Sequence, residues 1–119
     1  MKHLLYTGFC AASLMSVSAL AHHSATQYDL TIRDYSVSGV VKEFTPGNPH
    51  TKIVLEITDE KGTRDVEFEG HSRNNFYRSG WRVGMVEVGD KVTVNAGPKR
   101  DGSDGGYVIG VILEDGKRF

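Results

Sequence analysis

The sequence predicts an all-β fold, and three observations carry that reading. Four or five segments alternate apolar and polar residues with the period of two that marks a half-buried strand. The alternation breaks once, around Ser72 to Ser79, where a short helix fits better. Fourteen glycines against three prolines suit a domain with many tight turns. A chain of 119 residues makes one domain. Five short strands cannot hide both sheet edges unless the sheet closes on itself. The expected architecture is therefore a five-stranded OB-fold-like barrel with one short helix between strands 3 and 4. An SH3-like barrel is the alternative, and the helix in that position favours the OB-like order.

Residues 1–21 read as a signal peptide. Met1-Lys2-His3 is basic, Leu4 to Val17 is mostly apolar, and Ser18-Ala19-Leu20-Ala21 supplies an A-x-A cleavage site. The apolar run falls short of the ~20 residues a spanning helix needs. Cleavage after Ala21 removes Cys10, the sole cysteine, and makes His22 the first residue. The expected location is periplasmic or secreted, with no membrane span in the mature chain.

Residues 22–34 form an N-terminal arm with weak periodicity, and residues 35–119 form the barrel. Tyr35 to Phe44 is the first strand, with Val37, Gly39 and Val41 on one side and Gly39 marking a bend or bulge. Thr45-Pro-Gly-Asn-Pro49 is a turn. Lys52 to Thr58 directs Ile53, Leu55 and Ile57 to one face, and Asp59-Glu-Lys-Gly62 turns the chain into Thr63 to Gly70, with Val66 and Phe68 inward. Ser72 caps a helix of at most two turns that Gly80 ends. Trp81, Val83 and Met85 then cover an end of the barrel. Lys91 to Ala96 is the fourth strand, Gly97 to Gly106 a glycine-rich loop, and Tyr107 to Leu113 the fifth strand.

A formal net charge of -1 argues against a surface that tracks phosphates, so nucleic acid is not an expected partner. With no cysteine left after cleavage, the metal donors in quantity are the histidines at 22, 23, 50 and 71. A terminal histidine offers its free amine and ring Nδ1 as a chelating pair, which suits copper's preference for nitrogen in a planar arrangement. His22 supplies that pair, and a further imidazole from His23, His50 or His71 completes a three-nitrogen site. His50 stands in the loop between strands 1 and 2, where OB-folds bind ligands together with the loop between strands 4 and 5. Each histidine also has a structural reading: an exposed polar start for His22 and His23, a turn residue for His50, a helix cap for His71. Asp101-Gly-Ser-Asp104 has two carboxylates but lacks the glutamate and spacing of an EF-hand. No nucleophile elbow, H-E-x-x-H helix or phosphate-binding loop is present, so a hydrolytic enzyme has little support.

Taken in order, these motifs resemble a family of small exported bacterial proteins known only by a domain of unknown function. The resemblance rests on Ala21-His22-His23-Ser24, Tyr28-Asp29, the strand pattern Gly39, Val41 and Phe44, and Asn48-Pro49-His50. It continues through Gly70, Asn74 and Gly80-Trp81, then Gly89-Asp90, Arg100-Asp101-Gly102 and Asp115-Gly116. Phe44 departs from the tryptophan more usual there, and His71 from a small residue. The resemblance implies export and a small β-barrel, singles out His22, His23 and His50 over His71, and supplies no reaction.

The leading expectation is a periplasmic binding module that takes copper through His22, His23 and His50, with a metal ion or a periplasmic partner protein as its partner. The alternative is a non-metal OB-type module that binds a peptide, glycan or partner protein through Phe44, Tyr107 and the two loops. A copper-dependent oxidative enzyme ranks below both.

Overall fold

The computed structural model describes residues 26–119. The expected signal peptide, His22 and His23 lie outside the described residues. Among the described residues five strands are present: β1 (Ser36–Thr45), β2 (Thr51–Asp59), β3 (Gly62–Gly70), β4 (Lys91–Pro98) and β5 (Gly106–Leu113), with helix α1 (Arg73–Arg78) between β3 and β4. They close into a barrel in the order β1-β2-β3-β5-β4, with β1 returning to pair with β4. β3 meets β5 in parallel, and the other pairs are antiparallel. The all-β, five-stranded OB-like architecture is thus present, including the single break in period between strands 3 and 4.

The inward faces follow the alternation. Val41 from β1, Ile53, Leu55 and Ile57 from β2, Val66 and Phe68 from β3, Val92, Val94 and Ala96 from β4, and Val108 and Val111 from β5 form one core. Two bulges adjust the register. On β1 the pairing jumps from Val41↔Leu55 to Glu43↔Val54, so Lys42 is the extra residue. The jump turns Phe44 inward against Trp81, with ring centroids 5.8 Å apart. The bulge was expected at Gly39. That glycine serves a different need, since a Cβ there would sit 2.6 Å from the Glu56 carbonyl oxygen. On β5 the pairing jumps from Asn95↔Gly110 to Ala96↔Val108, leaving Ile109 unpaired.

Helix α1 is short and capped at both ends. The Asn75 amide donates to Ser72 Oγ at 3.3 Å. At the other end the Trp81 amide donates to the Phe76 carbonyl and the Gly80 amide to that of Tyr77. This Schellman closure has Gly80 at φ 113°. The helix buries Phe76, which packs edge-on against Phe119 at 5.8 Å. Trp81 is buried and Met85 half-buried, as a cover for the barrel requires. Val83, expected to join them, is 76% exposed. The Met85 amide donates to the Arg82 carbonyl in a tight turn through Gly84, which leaves Val83 at its tip.

β4 and β5 run further than their alternation suggests. Pro98 pairs with Gly106, so the intervening loop shrinks from the expected Gly97 to Gly106 to residues 99–105. The described part of the arm docks on this loop. The Asp29 amide donates to the Pro98 carbonyl, the Arg100 amide to the Gln27 carbonyl, and Arg100 Nε to the Thr26 carbonyl.

Candidate functional site

The loop between β1 and β2, the outer ends of β2 and β3, the loop between β4 and β5 and the docked arm meet on one face. A polar cleft of about 510 Å³ lies there, lined by residues that include Tyr28, His50, Lys52, Glu67, Glu69 and Lys99. This is the surface on which OB-folds accommodate ligands. A second depression, of about 380 Å³ on the outside of β1, β4 and β5, holds Lys91 and Glu114 among its lining residues but neither histidine nor tyrosine.

Alternation explains which side chains reach the cleft. With Val66 and Phe68 facing the core, Glu67 and Glu69 must face out. The register Lys52↔Glu69 and Thr51↔Gly70 then brings the end of β3 beside the loop that carries His50. Glu69 is the hub. Its Oε2 accepts from the Tyr28 hydroxyl at 3.0 Å, and its Oε1 lies 3.4 Å from His50 Nδ1. The Gly70 carbonyl oxygen is also 3.4 Å from His50 Nδ1. On the far side of Tyr28 the ring of Tyr107 stands 5.6 Å away. Tyr107 meets His71 edge-on at 5.0 Å, and its hydroxyl shares a 3.0 Å hydrogen bond with His71 Nδ1.

The two histidines therefore differ in what their contacts dictate. A neutral imidazole carries one N–H and one lone pair. His50 Nδ1 faces a carboxylate and a carbonyl, which only accept, so these contacts suit a neutral ring with its proton on Nδ1 and its lone pair on Nε2. The phenol beside His71 either donates or accepts, so that contact dictates neither form. Burial pushes the Tyr28 hydroxyl up to about 12, reinforced by its hydrogen bond to Glu69 and the nearby carboxylates. Tyr107 is raised by burial and then by Glu69. Lys52 is held charged by Glu43 and, next, Glu67, with ion pairs of 3.4 and 3.7 Å.

Of the sequence-predicted metal ligands, His50 is on the cleft, and His22 and His23 precede the docked segment. Among the described residues, no three His, Cys, Asp or Glu side chains converge as a metal-binding set. Asp101 and Asp104 do not converge either. Asp101 accepts from the Ser103 amide and hydroxyl, whereas Asp104 binds Arg64. Phe44 faces Trp81, and Tyr107 packs against Tyr28, which lines the cleft. Tyr28 and Glu69 were not legible as site residues. The available signal for Glu69 was its outward position on β3 next to the first residues of β2.

The sequence pattern of DUF6152, a family of unknown function, matches residues 11–108. The chain belongs to this family. No curated protein and no solved structure matches it. Of the sequence motifs described above, Tyr28-Asp29 and Asn48-Pro49-His50 each place a residue on the cleft, and Arg100-Asp101-Gly102 holds the arm through Arg100. Gly80-Trp81 and Gly89-Asp90 serve the barrel instead: the latter turn receives the Glu87 amide on Asp90 Oδ2 and donates from Gly89 to the Val41 carbonyl. Among the described residues no helix is long and apolar enough to cross a membrane.

Proposed function

We propose that the protein is an exported, periplasmic binding module that holds Cu(II) through the His22 amine and ring, together with His23 or His50. The observation that carries this reading is the contact pattern of His50. With Nδ1 turned to Glu69 and Gly70, its open nitrogen is Nε2, the arrangement seen in metal-ligating histidines. The arm is fastened to the same end of the barrel, at Thr26 by Arg100 and at Tyr28 by Glu69. His23 and His22 precede Thr26 by three and four residues, a reach of at most about 10–14 Å at ~3.3–3.6 Å per residue.

The test has two steps. Intact-mass measurement on periplasmic material is expected to show a chain starting at His22, and a mass retaining Met1 would remove the terminal chelate. Cu(II) titration of that processed form is then compared with a form extended by one residue. Extension abolishes the terminal chelate while keeping every imidazole, so it is expected to weaken binding more than His71→Ala does. Binding is also expected to weaken as pH falls, because the metal displaces protons from its nitrogen ligands. Equal, weak binding by both forms would overturn the copper reading.

A second reading has an observation of its own. Tyr28 lines the cleft with Lys52 and Lys99, and the tilted Tyr107 ring stands behind it at 5.6 Å. Such a surface suits a peptide, glycan or partner protein. Ligand binding that is indifferent to the N-terminal extension would favour it.

A further inference from the structure

We propose that the turns between α1 and β4 dock the protein on an anionic phospholipid surface, where Arg82 takes a lipid phosphate and Val83 and Val88 enter the headgroup layer. The surface is separate from the metal reading, since none of these three residues lines the polar cleft. Local structure does not explain the two valines. The Met85 amide donates to the Arg82 carbonyl and the Asp90 amide to the Glu87 carbonyl, both at 3.1 Å, so the connector folds into two tight turns. Each turn has glycine in third place, Gly84 at φ 89° and Gly89 at φ 96°, a conformation that glycine suits. Each has valine in second place, where a turn favours proline or a small polar residue. Val83 is 76% exposed and Val88 71%. Met85 and Val86, between them, pack against the core. The connector is thereby pinned at its middle and presents a valine on either side.

Charge is the second observation. From Ser72 to Val88 the chain carries Arg73, Arg78 and Arg82 against Glu87 alone, in a sequence of net charge -1. Among the described residues the arginines paired with carboxylates are Arg64 and Arg100, and none of these three. Arg82 is also held in place. Its guanidinium lies over the exposed Tyr77 ring, 3.8 Å from the centroid, and Nη1 donates to the Tyr77 and Trp81 carbonyls at 2.8 Å each. The other edge, Nε with Nη2, has no partner among the described residues. Arg64 turns that same edge to both oxygens of Asp104. Two parallel N–H groups fit two oxygens of a phosphate equally well.

Exposed apolar side chains rimmed by polar ones mark a contact surface. An acidic peptide would satisfy the arginines, but it would need a matching hollow for each protruding valine. A bilayer needs none. Its phosphates meet the guanidinium edge, and its interfacial layer takes up the valines and the Tyr77 ring.

The experiment is cosedimentation with vesicles of phosphatidylcholine alone and of phosphatidylcholine with an equal part of phosphatidylglycerol. Wild type and variants are purified in the same form, so the segment before Thr26 is common to every arm. Wild type is expected to bind the mixed vesicles, and binding is expected to weaken as salt rises. Arg82→Gln is expected to lower the partition about fivefold. Val83→Ser, at a position outside the core, is expected to lower it about tenfold. Lys61→Gln, an equal loss of charge on the β2–β3 turn, is expected to change it little. Far-UV circular dichroism checks that each variant is folded.

A wild-type protein that leaves the mixed vesicles unbound would overturn the proposal. So would equal binding to both kinds of vesicle that Arg82→Gln leaves unchanged. A loss in Lys61→Gln that matches the loss in Arg82→Gln would reduce the effect to overall charge and overturn it too. Poly-glutamate is the probe for an acidic partner. Binding to it that needs Arg82 but not Val83, with none to the vesicles, would assign the surface to an acidic protein in place of a lipid. None of these outcomes depends on whether the protein binds Cu(II).

Discussion

Strand β3 carries two polar constellations, one near its start and one near its end, and they differ in what they leave unused. At the start, Arg64 is clamped between Asp59 and Asp104. Its Nη1 and Nη2 donate to the two Asp59 oxygens at 2.7 and 3.0 Å, and its Nε and Nη2 to those of Asp104 at 2.6 and 3.1 Å. Both carboxylates are met by the same guanidinium, and the result ties the β2–β3 turn to the loop between β4 and β5. At the end of β3, Glu69 joins a phenol to an imidazole across 3.0 and 3.4 Å, and the imidazole retains an outward nitrogen. The first constellation closes on itself and holds structure. The second has a donor atom to spare, which is what a site needs.

The comparison breaks most completely if the shared support is removed. Phe68 is fully buried between the outward Glu67 and Glu69. Phe68→Ala is expected to cost about 3–5 kcal/mol, measured by urea unfolding, and both constellations should be lost together as the barrel destabilises. Loss of only the Glu69 cluster would mean that the two ends of β3 are independent.

Tyr28→Phe sharpens the comparison at the open end. Removing the hydroxyl that donates to Glu69 is expected to cost about 1 kcal/mol, again by urea unfolding. The phenol is raised to about 12 in the folded chain from its ordinary value of 10.0. Its contribution is therefore complete below pH ~10 and is lost as pH rises toward the folded value. Spectrophotometric titration of the tyrosines is expected to show a late-titrating phenol that disappears in Tyr28→Phe.

The smallest effect is expected at the closed end, because Arg64 and its partners are in contact with solvent and screened by it. Arg64→Ala should lower the melting temperature slightly, and high salt should shrink the difference. Asp59 is held at about 2 by the Arg64 guanidinium, with help from the Lys61 amide. A depressed carboxyl contributes above its unfolded value near ~4 and ceases to contribute as pH falls through its folded value. The stability gap between wild type and Arg64→Ala should therefore close between about pH 4 and 2. A gap that widens on acidification would show that the clamp does not act through its carboxylates.

The strand faces were readable because period two on β2, β3 and β4 states directly which residues are inside: Ile53, Leu55, Ile57, Val66, Phe68, Val92 and Val94 are all buried. The bulges were less so, since an inserted residue such as Lys42 has no composition of its own and shows only in the pairing partner's register. Gly39 looked like the bulge because glycine answers to either a bend or a close approach, and here it was the approach of Glu56. For the site, His50 was legible from its loop. Tyr28 and Glu69 were not, because their contact joins residues far apart in sequence and depends on barrel closure.

That closure has a weak joint. β2 and β3 pair along their whole length, from Thr51↔Gly70 to Asp59↔Gly62, whereas β3 and β5 meet only through Phe68↔Gly106 and Glu69↔Tyr107. The barrel's breathing should concentrate at this seam, where the fewest ladder bonds must part. The Tyr28 hydroxyl reaches Glu69 from the β5 side, like a stitch across the gap. Anything bound in the cleft against both Glu69 and Tyr107 would add a second stitch. Amide hydrogen exchange at Gly106 and Tyr107 would then slow on binding and report occupancy whatever the ligand, because a molecule that binds only the closed barrel holds it closed.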